Sequence, residues 1–340
     1  MVLPTHTAAL FSRAVARAAE LLRAGELVAL PTETVYGLAA NALDARAVGR
    51  LFEIKGRPAN NPIIVHVASV AMAKGCVRRW PTEAARLARA FWPGPLTLVL
   101  PRSPQIPDVV TAGGDTVGVR WPSHPLIQAV IRECDFPLAA PSANLSTQVS
   151  PTSARHVLKS LAGRIPLVVD GGRSPVGIES TVLDLAVRPA RILRPGMIHR
   201  ESLFAVLPKC AVRDAGCGAS EAPAGTPAAL RSPGQLRKHY APKARLTTLA
   251  WRDEQHLLSQ LSTPDSQLAK THIIAHTRIP SAGAFGRVSI IPRDPAAFAR
   301  AIYAELHRCD EEGAELIVVE QLPETPAWQA IADRLRRAAA

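Results

Sequence analysis

Hydrophobic positions along the first two-thirds of the chain alternate between helical and strand spacing. Apolar residues recur three and four positions apart in five segments, which we predict as amphipathic helices: 7–24, 44–55, 82–92, 124–133 and 151–161. Short apolar runs between them predict buried strands: 27–31, 62–67, 96–101, 116–122, PLAAPS, PLVVDGG, STVLDLA and ARILRPG. Because strands and helices are intermixed along the chain, the pattern favours an α/β or α+β layered fold.

The pattern breaks down after about residue 200 and then resumes. Ala, Gly, Pro and Ser dominate 208–234, which indicates a linker. Beyond it, four strand-like runs (LTTLA, THIIAHT, VSIIP and LIVVEQL) alternate with helical segments at 253–262, 295–310 and 326–338. That alternation predicts a small parallel α/β domain. We therefore predict a first domain over 1–200, a linker over 201–245 and a second domain over 246–340.

Composition narrows the class of protein. The chain has 340 residues, 47% hydrophobic and 20% charged, which suffices for two cores and excludes a disordered chain. No apolar stretch approaches the roughly 20 residues of a membrane helix, so we expect no membrane span. Residues 1–25 carry arginines and could be a transit peptide, but they run directly into a strand, which favours the first helix of the fold. The five cysteines form no CxxC pair, so we expect a reducing cytoplasm and no zinc site.

Positive charge is concentrated in the first part of the chain. The net charge of +12 divides into +10 over 1–200, +4 over 201–245 and −2 over 246–340. A basic surface suits phosphate-bearing partners, either a nucleotide or RNA. A compositional origin is the alternative, because only 7 of the 40 basic residues are lysines. Aromatic residues make up 4% of the chain, which disfavours a surface that stacks single-stranded RNA.

Two polar clusters stand out in the first 70 residues. PTETVYGLAANA at 31–42 places Thr32 and Thr34 after a strand, where either could instead cap a helix. EIKGRPANNPIIVHV at 53–67 places Lys55 and Arg57 on either side of a glycine, an arrangement suited to a polyphosphate. Taken alone, the second cluster is better explained as a helix end, and His66 as a satisfied core histidine.

Two further clusters lie between 116 and 196. Arg120 sits in an apolar strand, where it needs an anionic partner. The triplet SAN at 142–144 offers small hydrogen-bonding groups, which turns also favour. Ser180 and Arg194 add a hydroxyl and a cation. The sequence has neither a GxGxxG fingerprint nor a GxxxxGK[ST] loop, so ATP would require another kind of site.

Taken together and in order, these segments resemble the threonylcarbamoyl-AMP synthases of the YrdC type. The resemblance rests on PTETVYGLAANA, KGRP-x-x-NP-x-x-VH, PGPLT, VGVRWP, APSAN-x-S, ESTV-x-D and ILRPG. The motif SPG-x-x-x-x-HYAP and the α/β tail resemble the two-domain form of the family, which has an additional C-terminal domain. The resemblance implies a twisted, mixed-sheet catalytic domain and a smaller Rossmann-like parallel α/β domain.

The resemblance also implies a reaction and its partners. L-threonine, bicarbonate or CO2, and ATP with Mg²⁺ on its phosphates give threonylcarbamoyl-adenylate and pyrophosphate, so the enzyme is a nucleotidyltransferase. A downstream transferase complex then modifies an adenosine of tRNA, which implies a cytoplasmic location, no membrane and at most a weak contact with tRNA itself. One alternative is an RNA-binding module without turnover. Another is a carbamoyl-transfer enzyme with a different acceptor, which the HYAP motif disfavours.

Carried over position by position, the resemblance implies three groups of site residues and no protein-bound metal. The catalytic tetrad consists of Lys55, Arg57, Ser142 and Asn144. Threonine is held by Thr34, His66, Arg120, the Ala140 backbone and Ser180. ATP is held by Arg57, Asn61, Thr116, Ser142, Ser150, Arg194 and Tyr240. We also expect Lys55 and Arg57 to lie in a solvent-accessible cleft. The segment 232–244 is a hypothetical lid over the site, with a passive linker as the alternative.

Overall fold

The computed structural model describes residues 1–207, 212–214, 230–234, 236, 238–261, 265–281 and 283–340. The chain divides into two compact units. The first unit comprises Met1–Ser146, Pro151–Pro175 and Glu179–Gln235. The second comprises Thr147–Ser150, Val176–Ile178 and Leu236–Ala340. The domain boundaries predicted at residues 200 and 245 remain a prediction.

A large mixed sheet forms the frame of the first unit. In the described ranges it has eleven strands: β1 Val2–Pro4, β2 Val28–Leu30, β3 Gly37–Asn41, β4 Val65–His66, β5 Leu96–Pro101, β6 Thr116–Arg120, β7 Leu138–Ala139, β8 Leu167–Asp170, β9 Thr181–Asp184, β10 Ala190–Arg194 and β11 Val212–Asp214. Their order is β1-β8-β2-β3-β7-β4-β6-β5-β9-β10-β11. β4 runs parallel to β6 and antiparallel to β7, so the predicted mixed sheet is confirmed.

Helices pack on this sheet where the apolar periodicity predicts them. The helices of the first unit are α1 Ala8–Arg23, α2 Ala45–Lys55, α3 Val70–Gly75, α4 Thr82–Phe91, α5 Asp108–Thr111, α6 Pro125–Cys134, α7 Ala154–Leu161 and α8 Arg200–Val206. The N-terminal segment is a helix of the fold: Thr7 caps α1, and Ala14, Ala18 and Leu22 are buried in a core shared with α6. The predicted helices are confirmed, whereas the short α3, α5 and α8 were not predicted.

Local details differ from the sequence predictions for identifiable reasons. The segment after PTET continues as strand β3, so the helix-cap interpretation of Thr32 and Thr34 is wrong. Thr32 Oγ1 instead accepts hydrogen bonds from the backbone N–H of Thr34 (3.2 Å) and Val35 (3.3 Å) in a tight turn. The strand predicted at 62–67 is reduced to Val65–His66. The helix predicted from 151 begins at 154, because Ser153 caps it.

The second unit is a smaller parallel α/β structure, as the sequence predicts. Its described strands are β12 Arg245–Leu249, β13 Thr271–Ala275, β14 Arg287–Ile290 and β15 Leu316–Glu320, all parallel and ordered β12-β15-β13-β14. Its helices are α9 Glu254–Leu261, α10 Asp265–Leu268, α11 Pro295–Glu311 and α12 Gln329–Ala338, the last preceded by a 3₁₀ turn at Pro326–Trp328. Buried Trp251, Ile273 and Val318 belong to its core.

The next two observations concern the cysteines and the search for membrane-spanning helices. Cys76, Cys134 and Cys309 are buried free thiols. Cys210 and Cys217 lie outside the described residues. In the part of the chain that the structure describes, no helix is both long and apolar enough to cross a membrane.

Candidate functional site

Sheet order brings the polar clusters of the sequence together. His66 on β4 is the register partner of Arg120 on β6 and of Leu138 on β7. Just after β7, the Ala140 N–H donates to the carbonyl of Ile64 at 3.1 Å. The following segment runs beside the start of β3, because Ser142 forms a bridge with Gly37. Residues distant in sequence thus become neighbours through strand pairing.

Arg120 is held from three sides at the end of β6. Its Nη1 donates to Thr34 Oγ1 at 3.0 Å and its Nε to the carbonyl of Gly94 at 3.3 Å. Its Nη2 lies 2.7 Å from Oε1 of Glu33, and both side chains are buried. The prediction that Arg120 needs an anionic partner is confirmed. The sequence reasoning did not single out Glu33, although the residue lies inside the PTET motif beside Thr34.

His66 is buried, yet its ring is not fully satisfied. Its Nδ1 has no hydrogen-bond partner among the described residues. Burial lowers the pKa of His66 to about 3, and the positive charges of Arg120 and Arg194 add to that effect. The side chain is therefore a neutral imidazole at physiological pH. The interpretation of His66 as a satisfied core histidine does not hold for Nδ1, and its predicted role in binding stays a prediction.

Ser180 and Arg194 form a second buried group, on β9 and β10. Antiparallel pairing places Arg194 opposite Val182, two residues beyond Ser180. Arg194 donates from Nη2 to Ser180 Oγ and from Nε to the Ser180 carbonyl, each at 3.0 Å. Ser180 Oγ also lies 2.8 Å from Oγ1 of Thr97. Because Arg194 contributes to the lowered pKa of His66, its charge acts on the same region as Arg120.

Lys55 connects the end of α2 to the SAN triplet. Gly56 ends the helix in the left-handed conformation (φ 58°), so that feature of the helix-end interpretation is confirmed. The Lys55 side chain, however, turns away from its own helix. Its Nζ donates to the carbonyl of Ser142 at 2.5 Å and to that of Asn144. Ser142 Oγ in turn donates to Asn144 Oδ1 at 2.6 Å, so these three predicted tetrad members are in contact.

Arg57 is held by the loop that follows it. Its Nε donates to the carbonyl of Asn61 at 2.9 Å, and its Nη2 to Asn61 Oδ1 at 2.7 Å and to the carbonyl of Pro62 at 2.6 Å. Both Lys55 and Arg57 are buried, 2% and 9% exposed, so the expected solvent-accessible cleft is wrong for them. Burial, together with the nearby charge of Arg57, lowers the pKa of Lys55 well below its usual value.

Three predicted ATP contacts remain to be described. Thr116 begins β6, four residues before Arg120 and thus about 13 Å away along the strand. Ser150 and Tyr240 belong to the second unit. There the Tyr240 ring stacks on Tyr303 with 6.0 Å between ring centroids. The roles predicted for these three residues stay predictions.

The arrangement favours a small polar ligand that carries negative charge. Within the described ranges, three buried polar atoms of the site have neither a hydrogen bond nor an ion-pair contact: Glu33 Oε2, Asn61 Nδ2 and His66 Nδ1. Buried polar groups are almost always paired in native proteins, so such a cluster indicates a ligand site. The described residues contain no group of three or more His, Cys, Asp or Glu side chains that could hold a metal ion.

Comparison with known proteins covers both units. Residues 20–196 match the family model described as "Telomere recombination", and residues 198–340 match "Threonylcarbamoyl-AMP synthase, C-terminal domain". The threonylcarbamoyl-AMP synthase of Pyrococcus abyssi is 40% identical over 94% of this chain and 92% of its own length. That of Bacillus subtilis is 40% identical over 96% and 92%.

Solved structures agree with the sequence comparison. P. abyssi Sua5 complexed with L-threonine superposes with a TM-score of 0.87 at 36% identity, covering 100% of this chain and 97% of that one. A variant of P. abyssi Sua5 superposes with a TM-score of 0.89 at 36% identity, covering 100% and 96%. These similarities extend over essentially the whole length of the chain.

Proposed function

The chain belongs to the threonylcarbamoyl-AMP synthase family, and from that premise we propose how its first unit carries out the reaction. The enzyme forms threonylcarbamoyl-AMP and pyrophosphate from L-threonine, bicarbonate or CO2, and ATP, for the threonylcarbamoyladenosine modification of tRNA. The observation that carries the assignment of the site is the cluster of buried, unsatisfied polar atoms around Arg120 and His66.

Threonine binds, in this proposal, at the β4–β6–β7 group. Arg120 takes the carboxylate, because a guanidinium has five N–H donors and the described hydrogen bonds, from Nε and Nη1, engage two of them. Neutral His66 and the hydroxyls of Thr34 and Ser180 read the threonine hydroxyl. The backbone of Ala140 forms the wall between β4 and the SAN triplet. A site that offers hydrogen bonds to a hydroxyl rejects analogues that lack it.

ATP binds at the cationic group formed by Lys55, Arg57 and Arg194. Buried cations stabilise polyphosphate and the extra charge of a pentavalent phosphorus. Ser142, Asn144 and Asn61 then supply neutral donors and acceptors beside them. Thr116, Ser150 and Tyr240 complete the set of ATP contacts. The described residues hold no metal-binding cluster, so we place Mg²⁺ on the ATP phosphates, as part of the substrate.

The chemistry is a nucleotidyl transfer without a protein nucleophile. The neutral amine of threonine reacts with bicarbonate to give an N-carboxylate and water, or with CO2 to give the same carbamate and a proton. A carbamate oxygen attacks the α-phosphorus of ATP in line, and the bond to the bridging oxygen breaks to release pyrophosphate. Catalysis rests on positioning the two reactants and on the cations that surround the phosphorus. Burial protects the labile carbamate from water.

The product is consumed by other proteins. A mixed anhydride of a carbamate and AMP is a reactive acyl donor, so we place a tRNA-modifying transferase complex directly downstream, in the cytoplasm. The positive charge of residues 1–200 is compatible with a weak contact to tRNA.

Mass spectrometry of the products tests this function. The full chain is incubated with ATP, ¹³C-bicarbonate and each of the twenty amino acids in turn. We expect a labelled adenylate only with threonine, together with one pyrophosphate per adenylate. Labelled adenylate from many amino acids, or release of pyrophosphate without any adenylate, contradicts the proposed function.

A further inference from the structure

One buried carboxylate of the site has no role in the reaction described so far. Glu33 is 4% exposed, and in the described parts of the chain neither of its carboxylate oxygens accepts a hydrogen bond. Its closest charged partner among the described residues is the guanidinium of Arg120, with Oε1 2.7 Å from Nη2, and the imidazole of His124 lies within range of its charge. A buried carboxylate normally accepts several hydrogen bonds, because an unsatisfied charge in the interior is costly. The geometry therefore leaves room at Glu33 for a donor that the protein does not supply.

Another buried acidic group of the first unit, Asp184, is satisfied by the fold itself. Asp184, which is 1% exposed, accepts the backbone N–H of Ala186 on Oδ1 at 2.9 Å. Its Oδ2 lies 3.1 Å from Nη1 of Arg231. Asp184 thus has partners on both oxygens, whereas Glu33 has an ion pair alone. The difference marks Glu33 as a group that faces a ligand.

The chemistry of the substrate supplies the missing donor. Threonine enters as a zwitterion, with an ammonium group next to a carboxylate. If only Arg120 met it, the carboxylate would be paired and the ammonium would be buried without a counter-charge, which is strongly unfavourable. The cations at positions 55, 57 and 194 cannot serve, because they repel an ammonium group. Glu33 is the anion that already lies beside the carboxylate-binding Arg120.

We propose that Glu33 binds the α-ammonium group of threonine, so that Glu33 and Arg120 together form a receptor for the zwitterion. The adjacent negative and positive groups of the protein complement the adjacent positive and negative groups of the substrate. The four charges then compensate one another within the buried site. This inference rests on the proposed function, and it makes Glu33 a specificity-determining residue that selects an amino acid over the corresponding hydroxy acid.

The contact between Glu33 and the threonine nitrogen persists after the carbamate has formed. The ammonium group first loses one proton to solvent, and the neutral amine then becomes a carbamate whose nitrogen keeps one N–H, which still donates to Glu33. The new negative charge lies on the carboxylate oxygens of the carbamate, and Glu33 repels it towards the cations that bind ATP. Glu33 thereby orients the carbamate as well as the amino acid from which it forms.

Three ligands separate this role from a purely structural one. We measure the affinities of the full chain for L-threonine, for 3-hydroxybutyrate, which lacks the amine, and for threoninol, which lacks the carboxylate, by calorimetry. In Glu33→Gln, threonine and threoninol should each bind at least about 30-fold more weakly, because a buried charge pair is lost. Binding of 3-hydroxybutyrate should be unchanged or stronger. Glu26→Gln, at a surface glutamate paired with Arg50, is the matched control and should leave all three affinities unchanged.

The opposite pattern overturns the inference. If Glu33 only holds Arg120 in place, threonine and 3-hydroxybutyrate lose affinity by the same factor and threoninol loses none. Should Glu33→Gln fail to fold, as judged by circular dichroism, Glu33→Asp is measured instead. This variant keeps the carboxylate charge but shortens the side chain by one methylene, which withdraws the charge from the ligand. That variant should then weaken the two amines more than the hydroxy acid, and an equal loss for all three contradicts the proposal. Failure of the wild-type chain to bind threonine at all would instead count against the proposed function.

Discussion

Two buried glutamates, one in each unit, differ in how their charges are satisfied. Glu320 at the end of β15 is 2% exposed, and its Oε2 accepts the backbone N–H groups of His276, Thr277 and Arg278 at 2.7, 2.8 and 3.2 Å. Glu33 is similarly buried, but no N–H group of the described chain donates to it. Glu320 therefore fixes the loop that follows β13, while Glu33 is left to a ligand.

The same contrast extends to the cations. In the second unit, Asp333 pairs with Arg334 at 2.9 Å and with Arg337 at 3.1 Å, so opposite charges stabilise each other. In the first unit, Lys55 and Arg57 are buried within range of each other's charge, and the pKa of Lys55 is lowered accordingly. A protein retains such an unfavourable arrangement where an anionic substrate relieves it. In the proposed function, this difference separates groups that stabilise the fold from groups that bind substrate.

Replacing threonine with valine as the substrate should have the largest effect, because it tests whether the polar groups of the first unit bind the substrate. The two side chains have nearly the same shape, but valine leaves the polar groups of the first unit unpaired. We expect adenylate formation, measured as kcat/KM, to be at least about 1,000-fold lower with valine. Equal rates would mean that the unsatisfied atoms do not read the substrate hydroxyl.

Lys55→Ala has the next largest expected effect. The variant removes a buried cation that we place beside the transferring phosphorus, so pyrophosphate release should fall about 100- to 1,000-fold. Lys74→Ala, at an exposed lysine on α3, is the matched control. The rate is read from pyrophosphate release, and folding from circular dichroism. A folded Lys55→Ala variant with full activity would show that Lys55 only closes the helix end.

Threonine should stabilise one unit and not the other. At a threonine concentration of about 100 times Kd, binding adds about 2.7 kcal/mol to the stability of the unit that binds it. Hydrogen exchange should therefore slow for amides around His66 and Ala140. It should stay unchanged for the amides of His276, Thr277 and Arg278. Equal slowing of exchange in both sets of amides would contradict the proposal that threonine binds to the first unit alone.

Acid should destabilise the first unit through His66. The folded pKa of about 3 lies below the ordinary value of 6.5, so the unfolded chain binds an extra proton in that window. The contribution of His66 to stability is complete above about pH 6.5 and is lost as the pH falls towards 3, by at most about 1.4 kcal/mol per pH unit. His66→Gln should show a shallower decline in urea unfolding over this range. The same decline in both chains would contradict a neutral, buried His66.

Sequence patterns predicted the layers of the fold better than the details of the site. Long amphipathic segments such as 7–24 and 295–310 are unambiguous, because their periodicity is repeated over several turns. The short strand β3 was missed, because a buried strand of small residues looks like an apolar helix segment.

Within the site, residue types could be predicted, but burial and pairing could not. Arg120 required an anion, and the segment between β2 and β3 supplied Glu33, whose place beside Arg120 no local pattern reveals. Lys55 follows a helix pattern that normally ends in solvent. Its side chain is buried only because the SAN triplet, 87 residues later, lies against α2. The family resemblance implied Lys55 and Arg120 as site residues, yet their contacts depend on long-range topology.

The most direct test of the account compares Glu33→Gln with Glu320→Gln in the full chain. For each variant, we measure the threonine Kd by calorimetry and the exchange of the amides at 276–278. The account predicts that Glu33→Gln weakens threonine binding at least about 30-fold and leaves those amides protected. Glu320→Gln should expose the amides, at a cost of about 1–3 kcal/mol, and leave the threonine Kd unchanged. Equal effects of both variants on threonine binding would contradict the assignment of Glu33 to the substrate and Glu320 to the fold.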